Sequence, residues 1–156
     1  MLTPEEWNII CHDLVETGFF EPAGRSKTLK AMRKVMEKMT ADELLSLRKK
    51  VSVIFAPAPG VDGEVYPLKE LPASASGQQV LVYLSPKIEL YNQKRIESIV
   101  AHEFAHALLH APNALDKWWI EQESDQKVQS WGFKAVYPKP QHSDNRGKEV
   151  EKKLPE

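Results

Sequence analysis

The sequence predicts an α+β fold, and three observations carry that reading. Two Thr-x-x-Glu boxes open helical patterns in the first third of the chain. Two short β-branched runs, VSVIF at 51–55 and VLVYL at 80–84, read as strands, and a long helical pattern follows the second of them. With 156 residues the chain has the size of a single domain with a real core. Within it we expect an N-terminal helical segment (1–50) packed on a core (51–136), followed by a flexible tail (137–156).

Thr3-Pro4-Glu5-Glu6 places a cap, a proline at the first helical position and a returning glutamate ahead of Trp7, Ile10, Cys11 and Leu14 at helical spacing. That helix is expected to end at Gly18 and the Pro22–Gly24 stretch. Ser26 opens a second pattern through Leu29, Met32, Val35, Met36 and Met39, and Thr40 to Glu43 caps a short third helix ending near Lys50. After strand 51–55 comes a stretch rich in proline and glycine, read as loops with one short strand around Val65 and Tyr66. Beyond strand 80–84, Asn92 caps a helix running to about His110. Pro112-Asn113 interrupts it, and another helix covers roughly 116–130. From Tyr137 onward the chain is polar and charged, which predicts disorder.

Composition excludes more than it assigns. A formal net charge of −1 gives no global attraction to nucleic acid or an anionic membrane. The single cysteine, Cys11, rules out an intramolecular disulfide framework, suits a reducing compartment and reads as a small buried hydrophobe. MLTPEEWN has no basic or apolar leader pattern, and no apolar run approaches the ~20 residues that span a bilayer. A soluble cytoplasmic protein is the expectation.

The chemistry concentrates in residues 99–110, IVAHEFAHALLH. Ile96, Ile99, Val100, Phe104, Ala107 and Leu108 mark the buried face of this helix. His102 and His106, four residues apart, lie about 40° apart and one turn (~6 Å) along the axis, so both imidazoles can reach one metal ion. Glu103 sits about 100° round from His102, within reach of a water at that ion without ligating it. This is the H-E-x-x-H zinc-protease pattern, set among uncharged neighbours. His110 is about 12 Å along the axis from His102, too far to share the ion. It reads as a helix-end residue favoured by the dipole or as one that reaches substrate.

Catalytic zinc usually takes three protein ligands and leaves a fourth position to water. A metzincin would need glycine at 109 and histidine at 112; this chain has Leu109 and Pro112. The third ligand is therefore sought in Glu121-Gln-Glu-Ser-Asp125. Glu121 and Asp125 share a helix face, so one can bind the ion while the other accepts the second N–H of a ligating histidine. Glu123, on the opposite side with Lys127 as its four-apart neighbour, is the less favoured candidate.

The His102-to-His106 helix followed by Glu121-x-x-x-Asp125 resembles the gluzincin branch of the zincin-like metallopeptidases, and its short spacing is similar to the ImmA/IrrE-like and minimal gluzincins. The resemblance covers about residues 80–135. It implies a small mixed β-sheet packed on an active-site helix and a following ligand helix, to which the chain adds N-terminal helices that the resemblance does not cover. It also implies a Zn²⁺ cofactor held by His102, His106 and Glu121, Glu103 as general base, and Asp125 behind a histidine. A protein or peptide substrate is expected, with a narrow intracellular target by analogy. Because family members align an extended peptide on an edge strand, strand 80–84 is expected in that role.

Two other readings compete. One keeps the fold but makes the protein a regulatory or interaction protein with little proteolysis; an intact Glu103 argues against it. The other uses residues 25–50, where nine Lys/Arg stand against three Asp/Glu on helices short enough for a DNA-binding helix-turn-helix. Charge clustering alone is poor evidence for that, and a solvated helix face is preferred.

Overall fold

The computed structural model describes residues 2–15, 24–55, 62–67, 80–109 and 117–135. Among these residues it is an α+β structure of five α-helices and one three-stranded mixed sheet. The order is α1 (Pro4–Leu14), α2 (Ser26–Glu37), α3 (Ala41–Lys50), β1 (Val51–Phe55), β2 (Gly63–Pro67), β3 (Val80–Leu84), α4 (Gln93–Leu109) and α5 (Lys117–Ser130). A 3-10 turn, Pro86–Leu90, which the sequence reading did not anticipate, links β3 to α4. No described helix is long and apolar enough to cross a membrane. The tail at 137–156 and His110 lie outside the described residues.

Local chemistry sets the helix starts. Thr3 and Thr40 each accept from the backbone N–H three residues on, and Glu6 and Glu43 return the bond to the capping residue's own amide. The start of α2 is held differently: no side chain of its own caps it. Glu89, from the 3-10 turn, accepts from the amides of Lys27 (2.7 Å) and Thr28 (3.1 Å) and from the Thr28 hydroxyl. A carboxylate at a helix N-terminus also meets the positive end of the dipole, so this contact ties α2 to the entry of α4. Helix α1 ends at Leu14, earlier than the glycine and proline signals indicated. Val15 turns extended and forms an isolated parallel bridge with Val53, which takes the chain out of helical geometry.

The sheet order is β1-β3-β2. β1 runs parallel to β3, with Val51 opposite Val80, and β2 runs antiparallel to it, with Gly63 opposite Leu84. This corrects the expectation for strand 80–84. It is the central strand, with both edges already paired, and the sheet edge falls to β2. In β3 the alternation follows the pleat: Val80, Val82 and Leu84 are buried, while Leu81 and Tyr83 are half-buried.

Helix α4 is the centre of the molecule. It packs against α2, α3 and α5 and against β2 and β3. Ten of its residues are buried, and they go round the helix rather than forming one stripe. A helix enclosed on all sides should be apolar throughout. Helix α4 is not, and its polar exceptions are Glu97, His102 and Glu103.

Candidate metal centre

His102 and Glu103 are 3% and 4% exposed, and His106 is half-buried. Burying an imidazole and a carboxylate costs stability unless specific partners require them there. The two rings, one helical turn apart, have centroids 5.2 Å from each other and planes inclined by 46°. That spacing suits a shared ion. With Zn–N about 2.0–2.1 Å, each centroid would lie about 3.2 Å from the metal, and a tetrahedral angle would put the two about 5 Å apart.

Helix α5 brings Asp125 to the same place. Its Oδ1 lies 4.0 Å from Nδ1 of His102, and Asp125 is largely buried. A carboxylate on Nδ1 fixes the tautomer of a histidine and leaves Nε2 to act as a donor. The resemblance implied Asp125 behind a histidine; the two groups stand near each other at His102, beyond hydrogen-bonding distance. Next to Asp125 in α5, Ser124 is fully buried, and its hydroxyl has no hydrogen-bond partner among the described residues. It is small enough to let α5 lie close to α4.

The side chain of Glu121 lies outside the described residues. Its competitor Glu123 is exposed on α5. Lys127 does not neighbour the histidines either: its ammonium donates to Glu43 at 2.6 Å, and Trp131 Nε1 donates to the same carboxylate at 3.0 Å. Those bonds pin the C-terminal half of α5 to α3. Among the described residues no group of three His, Cys, Asp or Glu side chains could hold an ion.

One residue at the centre was not singled out from sequence. A Cβ on Gly63 would meet Glu103 Cγ at 2.9 Å, Glu103 Cδ at 3.1 Å and the Tyr83 carbonyl oxygen at 3.0 Å. The backbone of β2 therefore rests directly on the Glu103 side chain, and only glycine permits the approach. The available signal was an isolated glycine at the start of a strand pattern, which often marks close backbone contact.

The remaining candidates fall away from chemistry. Cys11 is buried, and burial pushes its thiol up to about 11, so it is an inert core residue. The basic run 25–50 does not form one free face. Lys27 donates to the Tyr91 carbonyl, Arg33 pairs with Glu37, Lys34 with Glu97, and Lys50 donates to the Leu108 carbonyl.

No protein-family model, no curated protein and no solved structure matches the chain.

Proposed function

We propose that this chain is a zinc-dependent metallopeptidase of zincin-like architecture, cutting peptide bonds in a narrow protein target. The observation that carries the reading is the pair of imidazoles 5.2 Å apart, one of them with a carboxylate 4.0 Å from its second nitrogen. A solvated His/Glu patch on a helix surface would have no reason to bury two of its members beside an aspartate.

His102 and His106 would supply the nitrogen donors, with Asp125 orienting the first. Glu121 is favoured as the third ligand for a topological reason. Asp125 lies beside His102, while Gly132 and Phe133 share a cleft with Arg95 and Ser98, so α5 runs antiparallel to α4. One turn back from Asp125 along α5 is therefore one turn on from His102 along α4, the level of His106. A bound Zn²⁺ would polarise a substrate carbonyl and lower the pKa of water toward neutrality.

Glu103 would accept a proton from that water and return it to the departing amine. Its place under Gly63 supports this role, because a general base acts well only when held in one geometry. The outer edge of β2 pairs with no described strand and is the natural place for an extended substrate to add by backbone hydrogen bonding.

The test is Glu103→Gln. The variant should bind zinc as the parent does and lose at least about 100-fold in peptide hydrolysis. Hydrolysis at the parental rate would remove Glu103 from the chemistry, and zinc-loaded parent protein without hydrolysis of any protein substrate would leave the interaction-protein reading.

A further inference from the structure

Five cations from three separate stretches of sequence line one cleft: Lys34 and Lys38 on α2, Lys94 and Arg95 in the first turn of α4, and Lys134 after α5. The cleft encloses about 730 Å³. The acidic lining residue is Glu97, a buried carboxylate 3.7 Å from the Lys34 ammonium. Arg95 is partly committed, stacked 3.9 Å over the Tyr91 ring and 4.0 Å from Asp62. Lys38, Lys94 and Lys134 are exposed and make no ion pair with a described residue.

Folding accounts for only part of this arrangement: Lys34 pairs with Glu97, and both lysines of α2 stand at its C-terminal end, where the dipole favours cations. Lys34 and Lys38 are a like-charge pair four apart on one helix, which is mildly destabilising. Lys94 and Arg95 occupy the first turn of α4, where the helix dipole favours anions and where no acidic residue stands. A like-charge pair on α2 and cations set against the dipole of α4, converging on one concave surface, are local mismatches of the kind that mark a site for an anion.

We infer that the cleft binds an acidic peptide segment of a protein partner. Phosphate sites are usually built from backbone amides, and here three of the lining amides are already occupied. Asn92 caps the Arg95 amide at 2.9 Å, Gly132 N–H donates to Gln129 and Phe133 N–H donates to Val128. What remains is a set of ammonium groups on long stems around the half-buried Phe133, which suits carboxylates spaced along a chain with an apolar residue between them. Nucleic acid fits less well: the lining holds a single aromatic, the half-buried Phe133, whereas stacking of successive bases uses several. Arg95 precedes His102 by seven residues, about 10 Å along α4, so binding here is read separately from any hydrolysis.

The experiment uses the full chain carrying Glu103→Gln and a fluorescently labelled glutamate-rich peptide containing one leucine, titrated at low and physiological salt. Saturable binding is expected, weaker at higher salt, and reduced about tenfold by combined Lys38→Gln, Lys94→Gln and Lys134→Gln. Lys30→Gln with Lys49→Gln, two exposed lysines outside the cleft, should leave it within about twofold. A circular-dichroism spectrum and melting curve matching the parent show that the triple variant is folded; if it is not, Lys38→Gln and Lys134→Gln are read singly, each expected to weaken binding. Undiminished binding in the folded variants would overturn the assignment. So would a single-stranded oligonucleotide or tripolyphosphate that binds more tightly than the peptide.

Discussion

The two ends of α4 break the rules of helix design in opposite ways. Its first turn places Lys94 and Arg95 in water against the dipole, whereas its later turns bury His102 and Glu103 in the middle of the domain. At the exposed end the cost is small, and the described fold offsets it only in part, with Arg95 against the Tyr91 ring and Asp62. At the buried end the cost is large, and the fold supplies specific partners: Asp125 at His102 Nδ1 and the bare backbone of Gly63 on Glu103. On the proposed reading the difference separates recognition from chemistry: charges left in solvent can meet a partner that arrives, whereas enclosed titratable groups would act on something held among them.

Gly63→Ala attacks the buried end alone. The added methyl cannot be accommodated by moving the Tyr83 carbonyl, so Glu103 must shift. We expect hydrolysis to fall about 100-fold, as misplacement by about 1 Å of a catalytic group does, with zinc content and acidic-peptide binding retained. A fully active Gly63→Ala protein would mean that Glu103 needs no such positioning.

Asp125→Asn should come next in size. It keeps the shape but loses the charge facing His102, and metal affinity should drop about 10- to 100-fold by competition with a chelator. Peptide binding in the cleft should not change; if it does, the two ends are not independent.

The smallest effect strikes what both ends share, the docking of α5. Burial pushes the Glu43 carboxyl up, but bonds donated by the Lys127 ammonium, the Thr40 backbone amide and Trp131 Nε1 outweigh it and hold the group below its ordinary 4.5. A carboxylate depressed in this way stabilises the fold fully above 4.5, and that contribution fades as the pH falls below it. Glu43→Gln should therefore cost about 1–2 kcal/mol in denaturant melts at neutral pH. The gap to the parent should narrow on acidification; a gap that widened would reverse the assigned sign.

Much of the scaffold was legible because its signals are local. The Thr3 and Thr40 boxes need only four residues each, and VSVIF and VLVYL became strands at the expected positions. The pairing of His102 with His106 followed from helical spacing alone. What could not be read depends on chain segments far apart in sequence. Nothing in VLVYL says that two other strands will flank it, so an expected edge became the centre. Glu89 caps a helix start 61 residues away, and Val15 leaves α1 early because Val53 is there to pair with it. Gly63 matters through Glu103, forty positions downstream, and the basic cleft assembles from three stretches of which only residues 25–50 stood out as charged.

The central claim is that His102 and His106 hold zinc together with Glu121. Metal analysis of the purified protein by mass spectrometry, with His102→Ala, Glu121→Ala and Glu123→Ala beside the parent, addresses it directly. The account predicts close to one zinc per chain in the parent and in Glu123→Ala, and loss of it in the other two. Zinc-free parent protein after zinc supplementation, or full zinc in His102→Ala, would contradict it.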